Sequence, residues 1–346
     1  MLSALLSFTV ELLQYLWVPG RDASLSDLLT NTTGGAIGAM IGTGLPTAVV
    51  PGPSRAMDLL RAGAAAVGLL LGLSAWLLMP WTPEGPLLSR WAHEAPGKDV
   101  FGGRVRSVVL DGQPMPRNGT PPDSAGFRRR LDGGAFALDA DLISGAPVED
   151  RAWIYMFRVR AGGALTVSQL GRDAGVAVPA RALRFLLWPP ILTLPDGLPG
   201  TAGSPVHLTA TETGRRLRLR TSYGGTERSV ELGLSPAYGW VLVMPFELAR
   251  GTRVRWITGL CLALALLPLG YWASRTGRPG AAGAILAAVL AAGLGAVPAV
   301  AGLPPVHWSE WLAGALGAAA GWALHRPAAY LERQCVSPSG SESSSS

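Results

Sequence analysis

Charge, lysine and cysteine are all scarce in this chain. Only 15% of its 346 residues are charged, where soluble proteins carry about a quarter, while 49% are hydrophobic. That balance excludes a simple cytosolic enzyme, and the few charges argue against a disordered chain. Lys98 is the single lysine, so the net charge of +6 comes from scattered arginines. Nothing here forms the basic stripe that tracks nucleic-acid phosphates, and no nucleic-acid partner is expected. The wealth of Arg, Ala and Gly fits GC-rich codons instead. Two cysteines, Cys261 and Cys335, build neither a disulfide framework nor a thiolate metal site. No metal or cofactor is expected.

What is present is apolar and blocked at the two ends of the chain. A membrane-spanning helix needs about 20 apolar residues, because no backbone polar group can go unpaired in lipid. Six stretches approach this: Leu2–Val18, Leu28–Val50, Ala62–Pro80, Trp256–Ser274, Gly280–Leu303 and the weaker Trp311–Leu324. The first lacks the basic region of a signal peptide, and Glu11 and Gln14 interrupt it, so it reads as a retained helix. Arg55 and Arg61, Arg275 and Arg278, and Arg326 and Arg333 fall on one side of a six-helix arrangement. By the positive-inside rule that side is cytoplasmic, which puts both termini inside and the middle block outside. Arg250, Arg253 and Arg255 run against the rule, as flanks of a long translocated domain can.

Between the blocks, short strand-like runs alternate with Gly, Pro and Asp-Gly turn signals. They are Val105–Leu110, Ala135–Leu142, Trp153–Val159, Leu165–Leu170, Val206–Thr211, Leu217–Thr221 and Trp240–Phe246, with further alternation around Val230 and Leu232. Their spacing predicts an antiparallel sandwich, and no helical period of comparable strength occurs. The fold class expected is therefore mixed: a polytopic α-helical membrane protein of about six helices with an inserted extracytoplasmic all-β sandwich. The divisions are 1–81, a membrane half of three helices; 82–250, the sandwich; 251–330, a second half of three helices; and 331–346, a Ser-rich disordered tail. Within the sandwich, Asp139, Asp141, Glu149 and Asp150 have the residue type of glycosidase carboxylates, but acidic groups on turns and strand faces are mostly solvated. His207 stands alone in its run. Trp153, Tyr155 and Tyr223 fit a buried core better than a sugar platform.

Polar residues inside apolar helices carry more information. Glu11 and Gln14 lie three apart on one helix face, and Asp27, Asn31, Gly34 and Gly38 form one stripe of the next helix. Arg21, Asp22 and Ser24 fall in or beside the connecting turn. A charged group in the apolar layer costs on the order of 2.5–3.5 kcal/mol and usually faces a partner or a wet cavity. One reading is a polar clamp pairing Glu11 with Arg21 or Asn31; another, compatible with it, is an outer-leaflet binding site. Near the C-terminus, Ser309, Glu310, Gly314, Gly317 and Gly321 repeat the spacing of Ser26, Asp27, Asn31, Gly34 and Gly38. Two related halves would then each carry an acidic residue at the mouth of a Gly-striped helix, with His307 beside Glu310. Gly34, Gly38, Gly314, Gly317 and Gly321 are expected to let helices pack closely.

The stretch E-x2-Q-x6-R-D-x-S-x2-D-x3-N-x2-G-x3-G, carried by Glu11, Gln14, Arg21, Asp22, Ser24, Asp27, Asn31, Gly34 and Gly38, resembles the VanZ-like family of bacterial membrane proteins. It covers about 40 residues. The layout also resembles the subgroup with an inserted laminin-G/concanavalin-like sandwich, through Phe157–Gly171, Val206–Leu219, Trp240–Phe246 and the run Pro268–Trp272. The resemblance implies an integral protein of the cell envelope, linked through the founding member to low-level glycopeptide resistance, teicoplanin in particular. Such members carry one or two helices ahead of the motif, so the chain is expected to start inside its first half.

Three functions follow as expectations. The first is a noncatalytic envelope protein binding a lipid-linked cell-wall precursor, a glycan or a glycopeptide antibiotic through Glu11, Gln14, Arg21, Asp22, Ser24, Asp27, Asn31, His307 and Glu310. The second is a membrane-embedded hydrolase or transferase with Glu11, Asp27 or His307 as acid and base. Against it, no H-E-x-x-H, G-x-S-x-G or nucleophile–base pair is present. The third is a small transporter.

Overall fold

Pro53 follows Gly52 directly, and its fixed φ and missing N–H suit the first position of a helix. In a computed structural model of the chain, which describes residues 50–92, 101–159, 162–185, 187–243 and 253–324 together with Gly34, the helix α1 runs over Pro53–Leu78. It starts nine residues before the predicted segment. Arg55, Asp58 and Arg61 therefore occupy its first turns and not a loop, with Arg61 pairing to Asp58 at 3.7 Å on the exposed side. A helix of 26 residues is about 39 Å long, longer than the roughly 30 Å of a hydrocarbon layer.

After the middle region come α3 (Arg253–Arg275), α4 (Pro279–Val300) and α5 (Trp308–Ala323). The helices α1, α3 and α4 are long and apolar enough to cross a membrane by length and composition. At 16 residues, α5 reaches only about 24 Å. In α4 the turn Ala291–Ala296 widens into π geometry just ahead of Pro298. Proline has no N–H to give and its ring crowds the carbonyl four residues back, which accounts for the widening.

Small residues set how the helices meet. A Cβ on Gly317 would strike the Ala263 carbonyl, one on Gly321 the Leu267 carbonyl, and one on Gly270 the Ala318 carbonyl. Gly314 faces Leu290, Leu266 and Leu262. The contacts Gly259–Ala313, Ala263–Gly317 and Leu267–Gly321 advance together, so α3 and α5 run parallel with α4 as the return. Side chains of any size along that seam would hold the two backbones apart. Gly34 lies in a helical turn with open space where a Cβ would stand.

The middle region is a sandwich of two six-stranded sheets whose strand pairs are all antiparallel. One sheet holds β1 (Leu88–Trp91), β4 (Asn118–Gly119), β6 (Val148–Val159), β7 (Gly162–Gly171), β8 (Asp173–Ala177) and β9 (Ile191–Leu194). The other holds β2 (Arg104–Leu110), β3 (Gln113–Pro114), β5 (Ala135–Ile143), β10 (Pro205–Thr213), β11 (Arg216–Tyr223) and β12 (Thr226–Gly233). Alternation does what the sequence pattern requires: in β11, Leu217 and Leu219 are buried while Arg216, Arg218 and Arg220 face out. Three hairpins close on two-residue loops with positive φ at both positions: Asp111-Gly112, Gly214-Arg215 and Gly224-Gly225. Their mirror-image twist matches that of the flanking strands.

Two expectations for this region are corrected. A helix, α2 (Ser124–Asp132), does occur, started by Asp123, whose carboxylate accepts the Gly126 amide at 2.9 Å. It buries Phe127 and Leu131 under three consecutive arginines, too short and too charged to show a period. The run Trp240–Phe246 is not a strand where it is described. Pro236–Leu242 forms a 3-10 turn in which Val241 and Leu242 are both buried, a pattern that period-two alternation cannot satisfy. That turn wedges against the helices: a Cβ on Gly239 would meet Ser74 of α1, and Trp240 Nε1 donates to Thr258 Oγ1 of α3 at 2.8 Å.

The sandwich rests on one end of the helices. There α1 ends, with Met79 O accepting from Arg181 N at 3.0 Å, and α5 begins, with Ser235 Oγ bonded to Glu310. Arg55, Arg61, Arg275 and Arg278 lie toward the opposite end. Each of three helices carries an exposed apolar stripe that finishes in tryptophan on the sandwich side: Leu69, Leu73 and Trp76 on α1; Leu264, Leu260 and Trp256 on α3; Leu316, Leu312 and Trp308 on α5. Tryptophan prefers the boundary between lipid and water, and these three stand at the sandwich ends of their helices.

Candidate functional site

The sandwich and the helices do not close completely. Between the β11–β12 edge and the starts of α3 and α5 lies a cleft of about 150 Å³, lined by Arg216, Glu231, Ser235, Arg255, His307 and Glu310 among others. Each wall has a local cause. Strand alternation turns Arg216 and Glu231 outward, where they pair at 3.7 Å. Ser235 follows the end of β12 and opens the 3-10 turn. Arg255, in the first turn of α3, donates from Nη2 to the Glu231 carbonyl at 3.2 Å.

His307 caps α5: its Nδ1 accepts from the Ser309 amide at 3.3 Å and lies 2.8 Å from the Ser309 hydroxyl. The cap commits Nδ1 and leaves Nε2 for other partners. Glu310 sits at the sandwich junction, ahead of the apolar run Trp311–Ala323, and its Oε2 accepts from Ser235 Oγ at 2.7 Å. Burial pushes the Glu310 carboxyl up to about 7, against the opposing pull of the Ser235 hydrogen bond and the nearby Arg255 charge. Trp256 and Trp308, 81% and 67% exposed, stand at the starts of the same two helices. The cleft thus offers cationic donors and carboxylate acceptors within one small volume.

Of the residues expected to form a site, His307 and Glu310 come together here. Glu11, Gln14, Arg21, Asp22, Ser24, Asp27, Asn31 and Gly38 lie outside the described residues. Sequence reasoning missed Arg216, Glu231, Ser235 and Arg255. One signal pointed to Arg255: with Arg253, it defied the charge rule at the sandwich end of a spanning helix.

His207 is not isolated, contrary to expectation, because the β5–β10 register sets it opposite Asp141. Its Nδ1 is 2.9 Å from Asp141 Oδ1, and Ser107 Oγ donates to Asp141 Oδ2 at 2.7 Å. Those hydrogen bonds, that of Ser107 first, hold the Asp141 carboxyl below its ordinary range. Thr209 Oγ1 lies 3.4 Å from His207 Nε2 but gives its proton to Asp139 at 3.1 Å. The network lies half-exposed on an open sheet face. Tyr155 is fully buried in the core. Among the described residues, no group of three or more His, Cys, Asp or Glu is placed to hold a metal ion.

No family model, curated protein or solved structure matches this chain.

Proposed function

We propose that the chain is a noncatalytic integral protein of the bacterial cell envelope. The cleft between its sandwich and its helices binds an amphipathic, lipid-linked cell-wall precursor or glycan from the outer face of the membrane. The observation that carries this is the place of the cleft: polar groups of both signs in one cavity, at the level of the tryptophans that end the lipid-facing stripes. A ligand with a sugar or peptide head, a phosphate and a hydrocarbon tail presents complementary chemistry to all three. Arg255 and Arg216 meet the phosphate, Glu231 and Ser235 the hydroxyls, and the Trp256 and Trp308 flanks the start of the tail. The family resemblance of the N-terminal motif, with its glycopeptide-resistance role, agrees with such a ligand. In this reading the Arg55 and Arg275 end is cytoplasmic and the sandwich extracytoplasmic.

Binding of a polyprenyl-diphosphate-linked disaccharide to the full chain in detergent tests it. Wild type binds, and Arg255→Gln weakens binding by roughly tenfold or more, the worth of one charge-assisted hydrogen bond. Equal binding by the two proteins contradicts the assignment.

A second reading rests on Glu310. A carboxyl titrating near 7 is suited to general acid–base work, which makes a hydrolase or transferase acting on the same ligand the alternative. Turnover of that ligand by wild type and its loss in Glu310→Gln would favour the enzyme.

A further inference from the structure

The sandwich meets the membrane boundary with a surface of its own, away from the cleft. After β8 the chain makes a 3-10 turn over Arg181–Phe185, and Trp188 follows, tied by its amide to Leu242 O at 3.2 Å. Phe185 and Trp188 are 38% and 45% exposed. The Phe185 ring lies 5.6 Å from that of Trp76, the residue that ends the exposed Leu69–Leu73 stripe of α1. Apolar surface therefore continues from the lipid-facing flank of a spanning helix onto the sandwich without interruption.

Two arginines border it. The Arg181 guanidinium lies 5.5 Å from the Trp76 ring centre, and that of Arg184 lies 5.9 Å from the Trp81 ring centre. Neither forms an ion pair with a carboxylate among the described residues. Rings at headgroup depth beside arginines with no acidic partner are the arrangement that an anionic leaflet satisfies from both sides: apolar contact below and phosphate above. We infer that Arg181 and Arg184 form a binding site for the phosphate of an anionic phospholipid in the leaflet next to the sandwich, with Phe185 and Trp188 seated at its headgroup level. The occupant is a membrane lipid and not free phosphate, because the charged pair opens onto surface already continuous with the bilayer. This site is independent of the ligand proposed for the cleft and requires only that the helices cross a membrane.

The experiment uses the full chain in detergent, offered phosphatidylglycerol and phosphatidylcholine in equal amounts, with retained lipid read by native mass spectrometry. Wild type retains phosphatidylglycerol in preference. Each arginine near a charged surface contributes about fivefold in affinity, so Arg184→Gln lowers the preference by about that factor and the Arg181→Gln/Arg184→Gln double variant abolishes most of it. Arg184→Lys keeps most of it, which separates charge from damage to the fold. Arg220→Gln on the far sheet leaves it unchanged, and failure of the cleft reading does not disturb this result. Equal retention of the two lipids by wild type, an unaltered preference in the double variant, or displacement of the lipid by millimolar inorganic phosphate would overturn the proposal.

Discussion

The sandwich is joined to the helices along two seams, and they are built oppositely. At α1 the seam is closed. Arg215, 1% exposed and held at φ 63° in the β10–β11 turn, donates to the carbonyl of Leu78 at 2.6 Å, to that of Pro179 at 3.2 Å and to Glu212 Oε1 at 2.6 Å. Leu78 is the last residue of α1, so the guanidinium satisfies a carbonyl that the helix leaves orphaned and sits at the negative end of its dipole. At α3 and α5 the seam is open: hydrogen bonds run from Ser235 to Glu310, from Arg255 to Glu231 and from Trp240 to Thr258, and a cavity remains beside the first two. The first seam fixes where the sandwich sits. The second, held in register by the first, leaves a cavity.

The largest expected effect comes from breaking the closed seam. Arg215→Ala leaves Glu212 buried without its partner and the end of α1 uncapped, and it should lower stability by about 3–5 kcal/mol in thermal unfolding of the full chain. Replacing both Glu212 and Arg215 by apolar residues of similar volume should recover much of that loss. An equal loss in both variants would show that the pair itself does not join the domains. Next comes the helix seam: Gly317→Leu forces a side chain into the Ala263 carbonyl and should cost at least about 1–3 kcal/mol. Gly283→Ala, where a Cβ meets open space, should be neutral or slightly stabilising.

The open seam gives smaller, pH-dependent effects. Glu310 has a folded-state pKa of about 7 against an ordinary 4.5, so folding favours its protonated form. The stabilisation is fully present below the ordinary value and is lost as pH rises through about 7. Wild type should lose up to about 3 kcal/mol over that window, and Glu310→Gln should flatten the curve. Smaller than that, Ser235→Ala removes one hydrogen bond and should cost about 1 kcal/mol. A larger loss would mean that the open seam bears more of the join than the closed one.

The two seams also differ in how far the sequence foretold them. Apolar length located α1, α3 and α4, and strand alternation located β2, β5, β10 and β11. Those signals are local and repeat over many residues. Glu310 and His307 were legible because a spacing recurred. Arg215 was not, since its burial depends on a hairpin turning it inward beneath α1, 137 residues earlier in the chain. Ser235 and Arg255 meet only when β12 and α3 converge, a juxtaposition no spacing encodes. The Trp240 run misled because a stretch that wedges between two helices is as apolar as a buried strand.

On the proposed function the cleft opens on the extracytoplasmic side of the membrane. Labelling with a membrane-impermeant maleimide in intact cells tests it, using single-cysteine proteins in which Cys261 and Cys335 are serine. Ser309→Cys at the cleft should label in intact cells, and Arg278→Cys at the opposite end only after permeabilisation. The reverse pattern would place the cleft inside the cell and contradict the account.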